Sequence, residues 1–404
     1  MKLTLIIFLF STVTTVFADV EITSIDVNDE NVYLTWNTPT NKFIVAVSTS
    51  LFDFVDSAIC CNSSVGDSPQ TNSTVFARNS DRDYFRMMFG LQVVEFPDPL
   101  LFQIVFTNIE TKIKPFNKIY DAEIVGISNI YANGMPVTNV SGLSAMPWLT
   151  SLTIRDYWFT NITGFSELPE ITALSINGCH LDDLSEVRKT PGLIFLNLYG
   201  NDIVSPELGS GLTSLDLYDN QINDLSPLSS FNQLSWLDLR RNNLMDLSPI
   251  SALTNLTWLG LAHNQITNAD SLANLTNISW LNLKNNDLDS IDFVGAITNL
   301  EWFNVSSNHL NTLAGLETLS SLEALDVSDN QITNISALST LLHLRWIDLS
   351  HNRLTDIDVL ITNAANGGIT NGHTVILIDN PLSDYALTNQ IHVLTNDYRV
   401  TVEY

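Results

Sequence analysis

"LTSLDLYDNQINDL", Leu212–Leu225, returns as "LEALDVSDNQITNI", Leu322–Ile335, and the spacing of such copies decides the architecture. Units start at Ile127, Leu149, Ile171, Leu193, Leu212, Leu234, Leu256, Ile278, Leu300, Leu322 and Leu344, each 22 residues after the last except for a 19-residue step from Leu193 to Leu212. The shared pattern is L-x-x-L-x-L-x-x-N-x-I/L-x-x-L/I, and a degenerate copy on Val375, Leu377, Asn380 and Leu382 closes the series. Self-similarity at this period marks a stacked array rather than a globular core.

Each fixed position answers a physical need. The x-L-x-L-x segment is a short strand whose period of two sends both leucines to one side. The asparagine column runs Asn201, Asn220, Asn242, Asn264, Asn286, Asn308, Asn330 and Asn352. A buried amide both donates and accepts, so it can satisfy the backbone where the chain turns. Cys179 takes this place one unit earlier, and Tyr157 and Met135 take it in the first two units. Apolar residues such as Ile222, Leu225 and Leu228 bring the chain back beneath the strand. The return arm is too short for long helices, which predicts 3-10 turns or extended chain. One unit cannot bury its own leucines, whereas stacked units share a continuous core. The expected fold is a right-handed α/β solenoid, a horseshoe with a parallel β-sheet along its concave side.

The 22-residue phrasing, with "DLSPLSSFNQL" and "DLSPISALTNL" between strands, resembles the short leucine-rich repeats of bacterial internalin-like surface proteins. The resemblance covers residues 127–382. It implies recognition of host or neighbouring-cell proteins through the concave face, although no wall-anchoring motif accompanies it. "FPDPLLFQIVFTNI" offers Asp98 as N-cap and Pro99 at the first helical position, like the helical cap before internalin-type arrays, here placed at 91–126. At the other end, 383–404, Ser383 is expected to cap a helix to about Leu394, and "YRVTVEY" reads as an edge strand. Residues 19–90 differ: "EITSIDV", "NVYLTW", "KFIVAVST" and "DYFRMMF" read as strands of a small β-sandwich resembling a fibronectin type III module, with Trp36 in its core. The polar stretch "CNSSVGDSPQTNST" between them reads as a loop.

Residues 1–18, "MKLTLIIFLFSTVTTVFA", combine Lys2, an apolar run and small residues at Val16 and Ala18, as a secretory signal peptide does. The expected location is therefore secreted, extracellular or at the cell surface. No later segment is apolar enough to span a membrane. Forty-four acids against 17 bases give a net charge of −27, which argues against nucleic-acid partners. Cys60, Cys61 and Cys179 form no disulfide framework and no zinc pattern, so no cofactor is expected. N-x-S/T sequons are numerous, including Asn62, Asn72, Asn139, Asn161, Asn255 and Asn274, and in an Asn/Ser/Thr-rich repeat most arise by chance.

No catalytic arrangement emerges. "VGDS", Val65–Ser68, lacks the strand-turn-helix setting of a hydrolase nucleophile. His263 and His351 share a repeat position four units apart, too far to serve one ligand atom. The expectation is a non-enzymatic protein.

Five of the eight tryptophans stand just before the second strand leucine, at Trp236, Trp258, Trp280, Trp302 and Trp346. Parity places them outward on the concave face, in one column with Phe195, interrupted by Ser214 and Ala324. Beside it runs a polar column of Asp216, Asp238, Asn282, Asn304, Asp326 and Asp348, with Arg240, Arg241 and Lys284 nearby. These residues form the candidate ligand-binding surface, because exposed aromatic patches mark binding sites and tryptophan is enriched in hot spots. A protein partner suits the rings and charges; a glycan would stack on the indoles and hydrogen-bond to the Asp/Asn column. Adjacent carboxylates, Asp216 with Asp238 and Asp326 with Asp348, are candidates for weak Ca²⁺ binding. The competing reading is structural: a duplicated aromatic ladder that only stabilises the sheet of an extracellular matrix protein.

Overall fold

The computed structural model describes residues 192–404 without a break and, before them, 21–27, 31–37, 58–59, 71–79, 93–109, 119–120, 124, 127–133, 140, 142–146, 148–155, 165, 168 and 170–190. The chain divides into two compact units, residues 1–96 with 105–127, and 97–104 with 128–404. The expected signal peptide at 1–18, Cys60, Cys61, "VGDS" and the expected strands at 42–49 and 83–89 lie outside the described residues.

In the first unit, strands β1 (Glu21–Val27), β2 (Asn31–Asn37), β3 (Ala58–Ile59) and β4 (Thr71–Asn79) form one sheet in the order β1-β2-β4-β3, all pairs antiparallel. β4 begins inside the polar stretch read as a loop: its alternating threonines and serines are tolerated because Asn31–Asn37 supplies a full ladder of partners. A two-stranded antiparallel pair, β5 (Val93–Val94) and β6 (Ile119–Tyr120), follows. Helix α1 spans Pro99–Asn108. Its start is the one the sequence offers, since Asp98 Oδ1 accepts the N–H groups of Leu100 at 2.8 Å and Leu101 at 3.2 Å.

The second unit is the solenoid. Thirteen strands, β7 (Asn129–Asn133) to β19 (Thr401–Glu403), form one parallel sheet in strict chain order. The strands used below are β10 (Phe195–Asn197), β11 (Ser214–Asp216), β12 (Trp236–Asp238), β13 (Trp258–Gly260), β14 (Trp280–Asn282), β15 (Trp302–Asn304), β16 (Ala324–Asp326), β17 (Trp346–Asp348) and β18 (Thr374–Ile376). Leu237, Leu239, Leu259, Leu261, Leu281 and Leu283 are all fully buried, so the strand leucines face the core as their period requires.

The asparagine column does the backbone accounting. Asn264 Nδ2 donates to the carbonyls of Leu239 and Leu261, both at 3.0 Å, while its Oδ1 accepts the Leu244 N–H at 3.0 Å. The same bonds recur at Asn220, Asn242, Asn286, Asn308, Asn330 and Asn352. Cys179 imitates the donor half: its Sγ reaches the carbonyl oxygens of Ile154 at 3.9 Å and Asn177 at 3.2 Å. The return arms are 3-10 turns, as at Ser226–Leu228, Ser248–Ile250 and Asp270–Asn274. "DLSP" starts them, because Asp224 and Asp246 each accept the N–H and hydroxyl of the serine two residues on. The last arm grows into helix α2, Asp358–Ala365.

One recurrent feature has no signal in the apolar pattern. Asp219, Arg241, His263, Asn285, Ser307, Asp329, His351 and Asp379 all adopt φ between 52° and 59°, the left-handed region. Each sits just before the asparagine column, where the chain swings off the strand, and L-residues pay about 1–2 kcal/mol for that geometry. The backbone ladder holds them there; Asn285 N–H, for example, donates to Ser306 O at 2.8 Å. At the C-terminus Ser383 Oγ accepts the Ala386 N–H at 3.1 Å, as a cap should. The helical stretch it opens has π geometry at Ala386–Gln390 and Val393–Asp397, and Thr401–Glu403 then pairs with β18 as the edge strand.

Candidate functional site on the concave face

Strand register carries the aromatic column. Trp236 pairs with Trp258, Trp258 with Trp280, and Trp280 with Trp302. Their indoles stack face to face, with ring centroids 4.5, 4.2 and 4.3 Å apart and interplanar angles of 17°, 8° and 4°. All four are half-buried while the leucines between them are fully buried, so the column is not core. Trp346 lies beyond Ala324 and joins no stack, and Phe195 lies beyond Ser214. The five tryptophans of the sequence column are thus a four-ring stack with Trp346 apart on one side, and Phe195 stands apart on the other. Each stacked pair contributes about 0.5–1.5 kcal/mol beyond its buried area.

The polar column beside it is less open than its sequence implies. Asp216, Asp238, Asn282, Asn304, Asp326 and Asp348 each place Oδ1 on the backbone N–H two residues on, at 2.9–3.1 Å. These are strand-ending turn caps. Further bonds tie the column together, from Asn197 Nδ2 to Asp216 at 2.9 Å and from Asn304 Nδ2 to Asp326 at 2.7 Å. Ser306, Ser328 and Ser350 add hydroxyl bonds to the same oxygens. Adjacent carboxylates therefore spend lone pairs on the turns, and among the described residues no group of three or more His, Cys, Asp or Glu is arranged to hold a metal.

Gly260 breaks this column for a steric reason. A Cβ there would sit 2.8 Å from Trp258 Cη2 and 2.9 Å from Asp238 Oδ1. The Trp258 indole folds along its own strand over the glycine.

Asp238 is buried and takes both Nε and Nη2 of Arg240. That guanidinium, its pKa raised chiefly by the bonds to Asp238, lies 5.1 Å from the Tyr218 ring and 5.6 Å from the Trp258 ring. Tyr218 packs against Tyr199 at 5.1 Å, and Arg241 lies 5.9 Å from Tyr218. Burial, helped by repulsion from Asp238, pushes the Asp216 carboxyl up to about 6 against the bond from Tyr218 N–H. His263 is held below its ordinary value by burial first, then by Arg241, Lys284 and Arg240. Cationic and aromatic groups thus converge beside the stack. Tyr199 and Tyr218 escaped the sequence reading, although they stand two residues past the Asp/Asn column with its parity.

The 19-residue unit has its own consequence. A cavity of about 280 Å³ lies at its shortened return, lined by residues that include Val187, Arg188, Leu193, Leu196, Gly209 and Leu212.

The leucine-rich-repeat family model matches residues 298–354. No curated protein matches the chain in sequence. Among solved structures, an internalin (inlF) from Listeria monocytogenes is 24% identical with a TM-score of 0.63, over 76% of this chain and 95% of its own. The functional domain of InlJ from Listeria monocytogenes, which includes a cysteine ladder, is 20% identical with a TM-score of 0.51, over 76% of this chain and 79% of its own. The ectodomain of the membrane receptor kinase GASSHO1/SCHENGEN3 from Arabidopsis thaliana, in complex with CASPARIAN STRIP INTEGRITY FACTOR 2, is 21% identical with a TM-score of 0.50, over 60% of this chain and 31% of its own. Residues 298–354 are thus leucine-rich repeats, and the solenoid has the fold of the internalin structures.

Proposed function

We propose that this protein is an extracellular, non-enzymatic recognition protein that binds a protein ligand on the concave face of its solenoid. The observation that carries the reading is the half-exposed stack of Trp236, Trp258, Trp280 and Trp302. Four indoles in a row give a rigid, amphipathic strip that loses little entropy on binding. The cations Arg240, Arg241 and Lys284 and the tyrosines Tyr199 and Tyr218 supply a polar border to it, as protein interfaces have. Three further points support the reading: the expected export segment at 1–18, the internalin fold, and a receptor kinase ectodomain of the same architecture solved in complex with CASPARIAN STRIP INTEGRITY FACTOR 2. A protein is favoured over a glycan because the Asp/Asn oxygens that would grip sugar hydroxyls already cap turns.

The test replaces Trp258, Trp280 and Trp302 together with serine and compares capture of extracellular proteins by variant and wild type. Loss of the captured partner with the far-ultraviolet circular dichroism retained supports the reading. Undiminished capture by the folded variant rejects it.

A further inference from the structure

The stack stops at Trp302 not because the sheet ends but because Ala324 stands where the next ring belongs. Register fixes the place: Trp302 pairs with Ala324, and Ala324 with Trp346. The methyl of Ala324 is half-exposed, both flanking indoles are half-buried, and no ring contact joins Trp302 to Trp346. One strand step separates stacked indoles by 4.2–4.5 Å here. Two steps at strand spacing make about 9.5 Å. That gap is one planar ring wide, with an indole for each wall and a methyl for a floor.

The charges at its mouth select what carries the ring. Glu301 and Glu323 are exposed at the strand entrances, Asp326 and Asp348 lie on the other side, and Arg345, the cation beside them, pairs with Glu323 at 3.5 Å. We propose that the slot between Trp302 and Trp346 takes an aromatic side chain, carried next to a lysine or arginine on the partner protein. Inserted there, the ring completes an unbroken run of six aromatic rings from Trp236 to Trp346. The inference rests on the concave-face reading and names the partner's anchoring group.

The probes are the tripeptides Lys-Trp-Lys and Glu-Trp-Glu and a chitin oligosaccharide, titrated by calorimetry into the full chain. Lys-Trp-Lys is expected to bind saturably and more tightly than Glu-Trp-Glu. Ala324→Trp fills the slot and weakens Lys-Trp-Lys by about tenfold or more, the loss of two stacked faces. Trp346→Ser removes one wall and weakens it in the same direction, which decides the matter if Ala324→Trp does not fold. Met245→Ser, on an exposed return arm away from the concave face, leaves binding unchanged. Equal weakening by Met245→Ser, or unchanged binding in Trp346→Ser, overturns the slot. So does a preference for the oligosaccharide or for Glu-Trp-Glu. Retained partner capture by Ala324→Trp alongside loss in the triple serine variant would remove the slot and leave the proposed function standing.

Discussion

Asn264→Ala tests the backbone accounting that holds the solenoid together. Truncation removes bonds to Leu239 O, Leu261 O and Leu244 N–H. The two carbonyls are insured, because Asn242 also donates to Leu239 O at 3.1 Å and Asn286 to Leu261 O at 3.0 Å. The Leu244 N–H, in a fully buried residue, has no other acceptor among the described residues. An orphaned buried donor costs about 1–3 kcal/mol, and two weakened carbonyl bonds bring the total to about 2–4 kcal/mol. Asn264→Asp discriminates further. It keeps the acceptor for Leu244 but turns two donors into a carboxylate facing two carbonyl oxygens. It should therefore be worse than alanine near neutral pH and recover in acid, where the protonated carboxyl donates again. Guanidinium denaturation followed by circular dichroism, at neutral pH and near pH 4, reads both effects. An aspartate variant as stable as wild type at neutral pH would refute the reasoning, as would an alanine variant losing less than about 0.5 kcal/mol.

Gly260→Ala should displace the Trp258 indole and cost about 1–3 kcal/mol, with a changed tryptophan near-ultraviolet circular dichroism signal; an unchanged signal counts against the close approach. At Ser307, in the left-handed column, valine should lower the denaturation midpoint whereas glycine should leave it level or raise it; the reverse order would mean the backbone there is not held at positive φ. Asp216 has a folded-state pKa raised to about 6 from 3.8, so its contribution is fully present below the unfolded value and fades as pH rises to about 6. Asp216→Asn should flatten that part of the stability profile and stabilise the protein at neutral pH; a profile that keeps its slope there contradicts the assignment.

The leucine frame, the asparagine column and the helix caps at Asp98 and Ser383 were legible because each is set by local chemistry that the repeat restates in every unit. Cys179 was legible as an asparagine substitute for the same reason, and its sulfur reaches the carbonyl of Ile154, 25 residues back as in the asparagine column, and that of Asn177. Outward parity of the tryptophans followed from strand periodicity. Their contacts did not: stacking depends on rotamers and on which neighbours are missing, so Trp346 shares the column but not the stack. The repeat pattern shows the side-chain chemistry of the Asp/Asn column but not which backbone N–H lies within its reach, so its turn-capping bonds are visible only in the structure. The left-handed column was illegible, since ladder bonds from the next unit impose it on Asp, Arg, His, Asn and Ser alike. The strand opening at Thr71 was hidden for a similar reason, its partner being forty residues upstream at Asn31–Asn37.

In the proposed function the tryptophan stack is the surface a partner covers. Oxidative footprinting by mass spectrometry, with and without the captured partner, addresses it at the residues themselves. Protection should fall on Trp236, Trp258, Trp280 and Trp302 and spare exposed residues of the return arms such as Met245. Protection of the return arms with the four indoles oxidised as fast as in the free protein would contradict the account.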